Sequence, residues 1–161
     1  MARRRASGIV DGEAGWSGVS AAEILAELNA RIDTIEEAYE FFLAYASQGL
    51  PSDQGNDSGR QARHYLERCD TALTGLGDFL NGFIERLDVG SPAPYRAFIA
   101  VIDSDAHHAQ AAIQLVIAQP AISSQIVDNL NASIHLRALL TDLFLIDEVL
   151  KQRARSAAAQ Q

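Results

Sequence analysis

Between Ser20 and Leu50, apolar side chains recur at Leu25, Leu28, Ile32, Ile35, Tyr39, Phe42 and Ala46. The steps alternate three and four, which lines them along one stripe of a helix. Ser20-Ala21-Ala22-Glu23 reads as a capping box, with the Ser20 hydroxyl accepting from the Glu23 backbone and Glu23 reaching back. Gly49 followed by Pro51 supplies a helix stop. The pattern predicts a first helix over about 21–48.

Ser52 to Gly59 is polar and reads as a loop. Beyond it, one apolar stripe runs Tyr65, Cys69, Ala72, Leu76, Phe79, Phe83 and another runs Leu66, Leu73, Leu80, Ile84, Leu87. Two adjacent stripes predict a helix over about 60–88 with a face wide enough for two neighbours. Gly75, Gly77 and Gly82 weaken it by roughly 1 kcal/mol each relative to alanine, or permit a kink or a close approach. Gly90 to Pro94 forms a turn in which Pro94 suits the start of a third helix, over about 95–119. The core face of that helix is Phe98, Ile102, Ala109, Ile113 and Val116, and Pro120 ends it. A serine at 123 or 124 caps a fourth helix over about 124–155. Residues 138–150 are apolar nearly all round, so this helix is either central or part of a subunit interface.

Four helices joined by short loops imply antiparallel neighbours, each about 40 Å long at 1.5 Å per residue. The expected fold is all-α: an up-down-up-down four-helix bundle over 20–155. Residues 1–19, broken up by Gly8, Gly12, Gly15 and Gly18, read as a flexible N-terminal tail carrying Trp16. Residues 156–161 read as a flexible C-terminus. No strand alternation, internal repeat or phosphate-cradling glycine loop appears.

Composition narrows the partners. The formal net charge of −8 over 161 residues opposes binding to phosphate backbones. Charge is uneven, with Arg3, Arg4 and Arg5 at one end and Lys151, Arg153 and Arg155 at the other. These read as solvated cationic ends. No apolar run approaches the roughly 18 residues that span a membrane. A lone cysteine, Cys69, and no secretory leader fit a reducing, cytoplasmic setting.

The chemistry-bearing residues are few. His64, His107, His108 and His135 are the histidines. Metal sites in bundles draw on Glu-x-x-His pairs aimed inward, and this chain has none. Asp103 and His107 share a polar stripe with Gln110 and Gln114, opposite the apolar face of the third helix. His135 falls with Asp128, Asn131 and Asp142 on the polar side of the fourth. His108 lies one step round from His107, in line with Val101, Ala112 and Leu115, at the boundary of a helix seam. Cys69 sits in an apolar stripe, the setting of an inert buried thiol. No metal, no cofactor and no catalytic residue is therefore expected.

Ala106-His107-His108-Ala109-Gln110-Ala111 resembles the motif of histidine-phosphotransfer bundles, in which an exposed mid-helix histidine precedes a long polar residue and then a small one. The resemblance implies His107 as phosphoacceptor, Gln110 as the donor to the phosphoryl group, and a receiver domain as partner. It covers six residues, and Gln110 and Ala111 stand where that family favours lysine and glycine.

The leading expectation is a non-catalytic interaction module: an accessory, adaptor or assembly-factor subunit of a larger complex. Its partners are proteins, without nucleic acid or membrane. Homodimerisation through Leu139, Leu143, Ile146 and Leu150 would cover the wide apolar face of the last helix, and Trp16 is a second contact candidate. A histidine-phosphotransfer-like bundle using His107 is the alternative, and a metal- or cofactor-holding bundle the third reading.

Overall fold

A computed structural model describes residues 18–161. Trp16 and the predicted tail up to residue 17 lie outside the described residues. Within them the chain is helical throughout, with six helices rather than four: α1 Ala21–Ser47, α2 Asp57–Leu73, α3 Leu76–Arg86, α4 Ala93–Ile117, α5 Ser124–Ala132 and α6 His135–Ala158.

The first helix starts as its cap requires. The Ser20 amide donates to Glu23 Oε2 at 2.7 Å, and the Glu23 amide donates to Ser20 Oγ at 3.2 Å. These bonds hold the Glu23 carboxyl below its ordinary range, the Ser20 backbone contributing most. At the other end Gly49 takes the left-handed conformation, φ +64, as a helix stop. The buried line of α1 is Ile24, Leu28, Ile32, Ile35, Ala38, Phe42 and Tyr45. Leu25, Tyr39 and Ala46, expected on the seam, are only partly buried. A strict three-four seam drifts round a straight helix of 3.6 residues per turn, so the buried line leaves it at both ends.

The predicted helix over 60–88 is two helices. α2 begins earlier, at the Asn56 cap, whose Oδ1 accepts from the Gly59 amide at 2.7 Å. It ends where Thr74 becomes extended and Gly75 turns left-handed, φ +67. The break is stabilised from outside. Arg31 of α1 donates to the Thr74 carbonyl at 3.0 Å, and Gln110 of α4 donates to the Asp70 carbonyl at 3.2 Å and to Thr74 Oγ1 at 2.9 Å. Carbonyls that a helix end leaves unpaired thus gain partners. Gly77 then allows α3 to approach α4 closely, because a Cβ there would overlap the Asp103 side chain.

The predicted helix over 124–155 also divides, between Ser133 and Ile134. Ile134 has φ +60, the one non-glycine residue with positive φ among those described. A β-branched residue in this region is strained by roughly 1–3 kcal/mol. The third helix matches its expected span closely, although Phe98 is half-buried and Ile99 and Ala106 join the core instead.

Packing is circular. α1 packs on α2, α5 and α6, and touches α3; α4 packs on α2, α3, α5 and α6. One apolar cluster draws on all six helices. At one end, loops close this core through a buried polar node. Asp53, 5% exposed, accepts from Arg63 Nε at 2.5 Å and from the Ile122 amide at 2.6 Å. Arg63 also donates to the carbonyls of Ile117 and Gln119. The Tyr45 hydroxyl donates to the Ile122 carbonyl at 2.7 Å, and Ser124 Oγ donates to the Tyr45 carbonyl at 2.6 Å. Burial raises the Asp53 pKa, but the Ile122 amide and the Arg63 guanidinium outweigh it and hold the carboxyl below its ordinary range.

Candidate functional site

α4 and α6 meet along a seam whose outer edge carries the molecule's least ordinary surface. Val101, His108 and Leu115 repeat every seven residues on α4, so they share one face. Leu145 lies in the middle of α6, and Ile134 stands at its N-cap, where the backbone is left-handed. The apolar members are large and exposed: Val101 48%, Leu115 67%, Ile134 57% and Leu145 57%. Ordinary core formation would have covered them.

Polar groups knit the two faces together. The His108 and His135 rings lie 5.4 Å apart, centroid to centroid. One stretch further along the seam, the Asp105 and Asp142 carboxyls stand close enough to influence each other. Burial first, then the neighbouring Asp105 carboxyl and its charge, raise the Asp142 pKa. In the last turn of α5, the Asn131 amide is buried with no hydrogen-bond partner among the described residues. The antiparallel register of α4 and α6 thus puts the acid pair beside the histidine pair.

The other sequence-derived candidates fall elsewhere. His107 is exposed on the far flank of α4, its Nδ1 2.7 Å from the Asp103 carbonyl. That acceptor calls for a proton on Nδ1 and leaves Nε2 with its lone pair. Gln110, expected to assist there, spends its amide on Asp70 and Thr74 at the end of α2. His64 is exposed on α2, edge-on to Tyr65 with ring centroids 6.0 Å apart. Among the described residues no three or more histidine, cysteine or carboxylate side chains form a group able to hold a metal ion. Cys69 is fully buried, and desolvation, with Asp70 adding to it, pushes its thiol up to about 12. At neutral pH it is a thiol, not a nucleophilic thiolate.

The proposed dimer residues need correcting. Leu139, Leu143, Ile146 and Leu150 are all buried inside this chain, because α6 packs against both α1 and α4. A helix apolar on most of its circumference can spend that width on two neighbours, and this one does. What α6 leaves outside is Phe144 and Leu145. The histidine pair and the acid pair were missed as pairs. Their partners lie on different predicted helices, and only the register between those helices reveals them.

Comparison with known protein families, with curated proteins and with solved structures returns no match. None of the helices in the described residues is long and apolar enough to cross a membrane.

Proposed function

We propose that this chain is a non-catalytic interaction module, an accessory or adaptor subunit that meets a protein partner through the outer face of the α4–α6 seam. The observation that carries the reading is the exposure of Val101 and Leu115 on α4, Leu145 on α6 and Ile134 at the α6 N-cap. Large apolar residues gathered on one face mark interaction surfaces more often than chance. The fold supports it as six helices around one apolar cluster, which on this reading act as four antiparallel columns. Rigid columns present side chains in fixed register, which lowers the entropy lost on binding. A second copy and a different protein both suit an apolar face ringed by His108, His135 and Asp105. The cytoplasm suits the single, deeply protonated thiol.

The test compares capture from native lysate by the wild-type chain, by Leu115→Glu/Leu145→Glu, and by Leu43→Glu. Leu43 is also exposed, but lies on α1. The expected result is a partner retained by the wild type and by Leu43→Glu and lost from the double variant. Equal capture by all three contradicts the reading. Sedimentation velocity of the same set identifies a second copy as the partner if the wild type is a dimer and the double variant a monomer.

A second reading, phosphotransfer through His107, draws on the exposed ring and its bond to the Asp103 carbonyl. The Nε2 lone pair is then the one available to attack phosphorus. Against it stands Gln110, already bonded to α2. Incubation with a phosphorylated receiver domain would leave an acid-labile label on the wild type and none on His107→Gln. No label on the wild type with any receiver removes this reading.

A further inference from the structure

His108 comes from the middle of α4, and His135 is the first residue of α6. Their rings stand 5.4 Å apart, centroid to centroid, with planes tilted by 33°. The two side chains belong to helices that pack on each other, so the α4–α6 contact fixes the gap between them. His108 is exposed and His135 partly buried, which puts the pair at the surface.

Two properties make this gap more than a ring contact. The first is a supply of free donors. Each neutral imidazole carries one nitrogen with a lone pair. Among the described residues neither ring spends a nitrogen on a hydrogen bond, in contrast to His107, whose Nδ1 meets the Asp103 carbonyl. The second is the spacing. With metal–nitrogen bonds of about 2.0–2.1 Å and tetrahedral angles, two imidazoles on one zinc ion place their centroids about 5 Å apart. The gap between His108 and His135 meets that figure with the backbone where it stands. Rotation about χ2, a soft torsion in histidine, turns a nitrogen of either ring toward it.

We propose that His108 and His135 form a two-imidazole clamp for a divalent transition-metal ion of the zinc type, bridging α4 and α6. Imidazole nitrogens suit zinc, copper and nickel, whereas magnesium and calcium take oxygen ligands. The Asp105 and Asp142 carboxyls lie along the same seam, where negative charge favours a cation. Asp105 precedes His108 by three residues and shares its face of α4. Ligating histidines commonly pass their other ring N–H to such a carboxylate. Among the described residues no group of three ligands holds an ion on its own, so water completes the coordination and the ion exchanges with solution. Bound metal ties the first turn of α6 to α4, just after the left-handed Ile134. The clamp goes beyond the interaction-module reading and stands whether or not a protein meets the surrounding face.

Calorimetric titration of the full chain with Zn2+ tests it. The wild type should bind Zn2+, and its melting temperature should rise with Zn2+ concentration. His108→Gln and His135→Gln should each weaken binding at least about tenfold, a loss that even a ligand's supporting partner can cause. His64→Gln, at an exposed position on α2, should bind as the wild type does. A second readout needs no variant to fold. Substoichiometric, paramagnetic Ni2+ should broaden the His108 and His135 ring resonances of the wild type before those of His64 and His107. Absence of Zn2+ binding by the wild type overturns the inference. So does binding that survives undiminished in both His108→Gln and His135→Gln, or that falls equally in His64→Gln. Ni2+ broadening that is equal at all four histidines, or strongest at His64 or His107, overturns it as well.

Discussion

Two polar clusters in this molecule use the same kinds of side chain to opposite ends. Around Asp53, a carboxylate, a guanidinium, a phenol and a hydroxyl are turned inward, and each meets a partner. Around Asp142, two carboxyls crowd each other and two imidazoles lie ring to ring. The first cluster ties loops to helices. The second sits beside Val101, Leu115, Ile134 and Leu145. Satisfied polar networks rigidify a fold, whereas incompletely satisfied ones beside exposed apolar surface are where a partner has most to gain. The contrast separates what holds this chain together from what it has left to offer.

The largest expected effect is at the first cluster. Asp53→Ala removes an ion pair and leaves the Ile122 amide without its acceptor. It should cost about 3 kcal/mol, less than for a fully buried pair because Arg63 is about a third exposed. Urea denaturation measures it, and a loss within experimental error of zero would show that the node is ornamental.

The two clusters should also respond to pH with opposite sign. The folded pKa of Asp53 is depressed, so its contribution is complete above the ordinary carboxylate value of 3.8 and disappears as pH falls through the lower folded value. The folded pKa of Asp142 is raised, so its protonated form favours the fold below the ordinary value, and that advantage is lost as pH rises through the folded value. At neutral pH, Asp142→Asn should therefore be more stable than wild type and lose its lead in acid. Asp53→Asn should be less stable at neutral pH, with the deficit narrowing in acid. Thermal melts from pH 3 to pH 7, a range on the order of the carboxylate titration, check both, and like signs for the two variants would erase the distinction.

A smaller effect belongs to the hinge beside the second cluster. Ile134→Gly relieves the positive φ and should stabilise the chain by about 1 kcal/mol, seen as a higher urea midpoint with an unchanged slope. Destabilisation would mean that the Ile134 side chain contributes packing that outweighs its backbone strain. The smallest change in stability is expected for Leu115→Glu/Leu145→Glu. Exposed positions away from caps and buried partners shift stability by roughly 0.5 kcal/mol or less. A large loss from this pair would move those residues from the interaction face into the core.

The sequence was most legible where structure is local. The ends of α1 follow from Ser20, Glu23, Gly49 and Pro51, all within a few residues of the points they define. The break at Gly75 had a visible cue, because glycine is the residue that takes a left-handed turn freely. The break at Ile134 had none, since a β-branched residue is the least expected one to take a positive φ and the apolar pattern runs straight through it. The Asp53 node was hidden because its partners lie ten and sixty-nine residues away. Leu139, Leu143, Ile146 and Leu150 looked like surplus only while α6 was granted one neighbour. The pairs His108–His135 and Asp105–Asp142 required the register of two helices, which periodicity within each helix does not contain.

The most direct test of the interaction face is site-specific photocrosslinking in native lysate from position 145 on the seam and from position 43 on α1. The account predicts a discrete crosslinked species from position 145, absent from position 43 and abolished when Leu115→Glu is added. The same species from both positions, or one indifferent to Leu115→Glu, would contradict it.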